Sequence, residues 1–129
     1  MTGTDADRFD AVLAVLDTYF DGLYFSDTAR LRHVFHPSAT YAAIVDGALL
    51  HRTMDAYFPI VDRREAPAAR HEQRRDRVAA IDFAGPTTAL ARVHCAIGSN
   101  AYVDLLSLLW IDGRWQIVAK VFHAEPLAP

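Results

Sequence analysis

From Thr87 to Glu125 the chain reads as three long strands joined by tight turns. The strands are Thr87 to Ile97, Ala101 to Ile111 and Arg114 to Glu125, with Gly98-Ser99-Asn100 and Asp112-Gly113 between them. Asp-Gly between alternating runs is a strong short-range hairpin signal. A further strand, Arg70 to Phe83, with its clearest pattern from Val78 to Phe83, enters this meander through Gly85-Pro86. Strands of about ten residues exceed the usual length and curl as they twist. The concave side of such a sheet must be covered by something else.

The first half supplies the cover. Thr4-Asp5-Ala6-Asp7 reads as a capping box, and Phe9, Val12, Leu13, Leu16, Tyr19, Phe20 and Leu23 follow at helical spacing. This predicts a helix ending near Phe25. Ser26-Asp27 caps a second helix with Leu31, Val34 and Phe35 inward, which His36-Pro37 ends. Thr40 to Val45 and Ala48 to Arg52 form a small hairpin around Asp46-Gly47. Thr53 caps a third helix, Met54 to Arg64, in which Pro59 implies a kink or a late start. Helices first and a long antiparallel meander last define an α+β domain, one unit over residues 1–129.

A net charge of -3 gives no pull toward nucleic acid or an anionic membrane. The acidic start MTGTDADRFD lacks the pattern of a signal peptide, and Cys95 is the lone cysteine. A cytoplasmic setting is the expectation.

The order of elements resembles the nuclear transport factor 2-like superfamily, a cone-shaped fold. YVDLLSLLWIDGRWQIVAKVFH, Tyr102 to His123, is similar to the closing hairpin of its bacterial "putative lumazine-binding" family, allied to the SnoaL-like proteins. Tyr19 to Tyr41 and Arg77 to Val93 carry further parts of the likeness. The resemblance implies a curved antiparallel sheet, three helices enclosing a conical pocket, and a homodimer built sheet to sheet. It leaves function open, because the superfamily holds isomerases, dehydratases, cyclases, hydrolases and binding modules.

Counting outward from Asp112-Gly113 sets Ile111 against Arg114, Asp104 against Val121 and Tyr102 against His123. Alternation then gives one face with Tyr102, Asp104, Leu106, Leu108, Trp110, Trp115, Ile117, Ala119, Val121 and His123. Its tryptophans and aliphatic centre make it the concave side. The other face carries Ser107, Gln116, Lys120 and Phe122 among apolar residues, a mixture suited to a dimer interface. On this register Asp104 and His123 are diagonal neighbours able to act as an acid/base pair.

Tyr19, Tyr24, His36, Tyr41, Tyr57, Phe58, Tyr102, Leu106, Trp110 and Trp115 are the expected pocket lining, with His51 near the mouth. His94 faces outward if the Gly98 turn has two residues and inward if it has three. His33 and His36 could hold a metal only with further ligands, so no metal is expected. The six arginines from Arg63 to Arg77 could hold an anion but suit a solvated edge. Nucleotide, zinc and acyl-enzyme motifs are absent, which leaves a cofactor-free site. Two functions fit: binding of a small apolar or aromatic molecule, or cofactor-free isomerase, cyclase or dehydratase chemistry. The transport-factor likeness alone would suggest a protein adaptor.

Overall fold

A computed structural model describes residues 5–128. In chain order it contains α1 (Asp5–Tyr24), α2 (Thr28–Val34), β1 (Phe35–Val45), β2 (Ala48–Thr53), α3 (Met54–Arg63), a 3-10 turn (Pro67–Arg70), β3 (Arg77–Phe83), β4 (Thr88–Ile97), β5 (Asn100–Ile111) and β6 (Arg114–Pro126). The strands form one sheet in the order β2-β1-β6-β5-β4-β3. The hairpins are antiparallel, whereas β1 joins β6 in parallel. Among the described residues no helix is long and apolar enough to cross a membrane.

The expected cap at Thr4 lies outside the described residues. At α2 the carboxylate of Asp27 accepts the amides of Ala29 and Arg30, and at α3 the Thr53 hydroxyl accepts that of Ala56. Helix α3 begins at Met54 with Pro59 inside it, so there is no late start. The inward stripes Val12-Leu16-Tyr19-Phe20-Leu23 and Met54-Tyr57-Phe58-Val61 meet Leu106, Leu108, Trp115 and Ile117 of the sheet in one core.

Gly22 is where α1 lets α2 approach. A Cβ there would lie 2.6 Å from Leu31 Cδ2, and Leu31 is fully buried. Gly22→Ala is therefore expected to cost about 1–3 kcal/mol through overpacking, despite the better helix propensity of alanine. A denaturant midpoint at or above the parent's would contradict this.

Two local expectations need correction. The chain from Arg70 to Asp76 is not strand. His71 adopts a left-handed backbone, and Glu72 is tied down from both ends. Its carboxylate accepts the Gly98 amide at 2.9 Å, and its carbonyl accepts the Tyr24 hydroxyl at 2.7 Å. Those bonds hold the segment across the sheet end instead of in a ladder. Strand β1 starts at Phe35, five residues before Thr40, because Phe35 already pairs with Ile117.

The register of the last hairpin carries the largest difference. Ile111 faces Arg114 as the turn dictates, but Leu108 faces Ile117 and Ser107 faces Ala119. Val118 is the extra residue of a β-bulge, and beyond it the parity of β6 is inverted. Strand β1 is irregular at the same level, between Phe35 and Thr40. The sheet thus bends along a line crossing both strands.

Candidate active site

Up to the bulge, the expected face assignment holds: Asp104, Leu106, Leu108, Trp115 and Ile117 are all buried inside the cone. Beyond it, Asp104 faces Phe122, Leu106 faces Lys120, and His123 faces Val103 on the convex side. Lys120 and Phe122 therefore belong to the interior, and Val121 and His123 to the exterior. His123 is exposed, with Nε2 3.4 Å from Glu125. It cannot pair with Asp104 through the sheet. The proposed outer quartet is likewise broken up, since Lys120, Phe122 and Gln116 are buried. Leu90, Leu105 and Val121 are among the apolar residues that stand exposed on the convex face.

The interior brings together one carboxylate, one ammonium and a wall of rings. Lys120 Nζ lies 3.9 Å from Asp104 Oδ2. It also sits 5.3–5.6 Å from the ring centroids of Tyr19, Tyr41, Tyr57 and Phe122, within cation–π range. The Tyr19 hydroxyl donates to the same Asp104 oxygen at 2.6 Å. Tyr41 stacks on Tyr57 at 4.5 Å and tilts against Phe122 at 4.8 Å, and Tyr102 packs beyond Phe122. Asp104 is fully buried and Lys120 is 5% exposed.

Burial, the largest influence, pushes the Lys120 ammonium toward the neutral amine, but the Asp104 carboxylate together with Tyr57, Tyr41 and Cys95 outweighs it and the net shift is upward. Burial, then Asp104, holds the Tyr19 phenol far above its ordinary value, so it remains a neutral donor. Burial first and Asp104 second push the Cys95 thiol up to about 12, which makes it a poor nucleophile. One atom is left over. Asp104 Oδ1 is buried without a hydrogen-bond partner. A free carboxylate oxygen next to a fixed cation can take a proton from carbon while the cation steadies the oxyanion that develops.

The other expected lining residues divide by location. Tyr19, Tyr41, Tyr57 and Tyr102 surround or approach the pair, and Phe58 packs on Tyr57 directly and through Phe35. Trp110 and Trp115 pack on each other near the Asp112-Gly113 turn, in a separate cleft of about 380 Å³ with Thr18, His33 and Arg114. Trp110 is six residues along β5 from Asp104, about 20 Å at strand rise. Tyr24 anchors Glu72 at the rim instead of lining the interior. His36 Nδ1 accepts the Ser38 amide in the irregular part of β1, a local turn contact. His51 is exposed on β2. His94 faces Val103 across a two-residue turn, the outward arrangement. Among the described residues no group of His, Cys, Asp and Glu could hold a metal.

Comparison with known proteins agrees with this architecture. The family model described as "Putative lumazine-binding" matches residues 7–123. A protein from Cladobotryum sp. described as "Aldolase FrzH" is 29% identical over 121 residues, 92% of this chain and 93% of that one. The crystal structure of a nuclear transport factor 2-like protein of unknown function from Shewanella baltica superposes with a TM-score of 0.87 at 28% identity, covering 97% of this chain and 99% of that chain. Another from Methylobacillus flagellatus gives 0.79 at 28% identity, covering 96% and 97%.

Proposed function

The chain belongs to the family described as "Putative lumazine-binding", and from that premise we propose that it is a cofactor-free enzyme of enolate chemistry. Its substrate is a small apolar or aromatic carbonyl compound, and its reaction is of the aldol or isomerase type. The observation that carries this reading is the Asp104–Lys120 pair inside the aromatic cage, at 3.9 Å. The likeness to a protein described as an aldolase supports the same class.

In this reaction Asp104 Oδ1 takes the proton α to the carbonyl, the C–H pair becomes the C=C bond of the enolate, and the carbonyl π pair moves onto oxygen. The Lys120 ammonium holds that oxyanion. The enolate then takes the proton back on its opposite face or, where it is conjugated, at a more distant carbon, completing an isomerisation, or attacks a second carbonyl, whose alkoxide receives the proton from Asp104. Tyr19 is a positioning residue: its hydroxyl fixes the other carboxylate oxygen and leaves Oδ1 free. Lys120 acts as a cation and not as a Schiff-base nucleophile, because its upward shift keeps the amine protonated. The rings of Phe122 and Tyr41 pack against the Lys120 ammonium.

Simple binding of the same class of molecule is the second reading, favoured by the full burial of Asp104. Deuterium exchange separates the two. Aryl methyl ketones incubated with the protein in D2O are expected to lose their α-protons by NMR, and the double variant D104N/K120M is expected to exchange none. Thermal stabilisation by these ketones without exchange would leave binding as the function and end the enzyme reading.

A further inference from the structure

Of the arginines between Arg63 and Arg77, Arg70 and Arg74 are in ion pairs, with Glu72, Asp76 and Asp21. Arg64 differs. Its Nε and Nη2 are buried and have no hydrogen-bond partner among the described residues. Those two nitrogens form the side-on edge of the guanidinium, whose parallel N–H bonds match the two oxygens of a carboxylate. A half-buried cation with that edge dry and unpaired is costly unless an anion completes it.

The helix directs Arg64 toward the same interior. Tyr57 and Val61 are buried on the inward stripe of α3, and Arg64 continues it three residues later. Arg64 is the cap that follows the helix: its own backbone is extended, but its amide still bonds the Ile60 and Val61 carbonyls and ties it to the last turn. Tyr57, two turns back and about 10 Å along the axis, is a wall of the Lys120 cage. Arg64 and Lys120 both pull down the Cys95 thiol that burial and Asp104 raise, so their charges converge on one neighbourhood.

We infer that Arg64 is a carboxylate anchor, taking an anionic group of the ligand side-on at Nε and Nη2, and that the substrate class is a carboxylate-bearing carbonyl compound. The substrate half of this inference rests on the enolate reading, whereas the anchor does not. The carbonyl end lies toward Asp104 and Lys120 and the carboxylate end toward the α3–β3 connection.

Binding of 4-acetylbenzoate and of its uncharged relative 4-acetylbenzamide, measured by titration calorimetry, tests the anchor without reference to turnover. The parent protein is expected to prefer the carboxylate by about tenfold or more. Arg64→Gln should abolish the preference, Arg64→Lys should keep part of it, and Lys120→Met should leave it in place. Equal affinities in the parent, no binding of either probe, or a preference that survives in Arg64→Gln but vanishes in Lys120→Met would overturn the assignment. If Arg64→Gln does not fold, the parent-to-Arg64→Lys comparison decides: an unchanged preference there also overturns it. A retained preference without ketone exchange would end the enolate reading and leave the anchor standing.

Discussion

Asp104→Asn is expected to destabilise the protein by about 3–5 kcal/mol, the usual cost of leaving one member of a buried ion pair alone. The substitution leaves Lys120 at 5% exposure among four rings. Cation–π attraction offsets only about 2 kcal/mol of the desolvation. The same change leaves the Tyr19 hydroxyl only a neutral amide oxygen to donate to, a weaker acceptor than the carboxylate. The double variant D104N/K120M is expected to regain most of the loss, because an apolar chain of similar length replaces the stranded charge. Urea unfolding of the parent, both single variants and the double variant gives the coupling energy of the pair. Additive effects would mean that the two groups do not interact.

The sign with pH follows from the Lys120 shift. Its pKa in the folded state is raised above that of the unfolded chain. The stability it contributes is fully present below the unfolded value, about 10.4, and is lost as pH rises through the higher folded value. The pair should therefore stabilise the protein at constant strength from neutrality to about pH 10.

Lys120→Met is expected to lower the rate of ketone α-proton exchange by about 10²–10³, the usual loss for removing an oxyanion stabiliser. The loss should appear in kcat more than in KM, since the oxyanion exists only in the transition state and intermediate. The parent's rate should show no alkaline limb belonging to Lys120 below about pH 10, for the ammonium is the active form. Borohydride should fix no ketone to the chain, as a protonated amine forms no imine. A trapped adduct on Lys120, or an alkaline limb near neutrality that disappears in Lys120→Met, would make the amine a nucleophile.

Much of the interior is legible in the chain's periodicity. The buried set on α1 follows the helical spacing of Val12, Leu16, Tyr19 and Leu23. The inward face of β5, with Asp104 among leucines, follows strict alternation from the Asp112-Gly113 turn. Gly98-Ser99 closing as a two-residue turn set His94 outward, one of the two arrangements its sequence allows. Lys120 was in plain view as the single lysine of the chain, yet parity counted from the turn placed it outside.

The error has a single cause. One bulged residue, Val118, exchanges the faces of Lys120, Phe122, Val121 and His123, and so replaces an Asp–His pair with an Asp–Lys pair. Alternation is a local rule that each residue inherits from the one before it, so a bulge corrupts every later position. No turn residue or glycine marks Val118, because its bulge answers the bend of the whole sheet and the matching irregularity of β1 across the parallel pairing. Arg64 escaped for a related reason. Six arginines in a polar stretch look alike in sequence, and only packing decides which one loses water without gaining a partner.

The elements, the cone they build and one carboxylate inside it can all be read along the chain. Those follow from periodicity and turn chemistry, which act over a few residues. Which cation meets that carboxylate, and which arginine faces inward, depended on register between strands distant in the chain. Only the closed tertiary structure fixes that register.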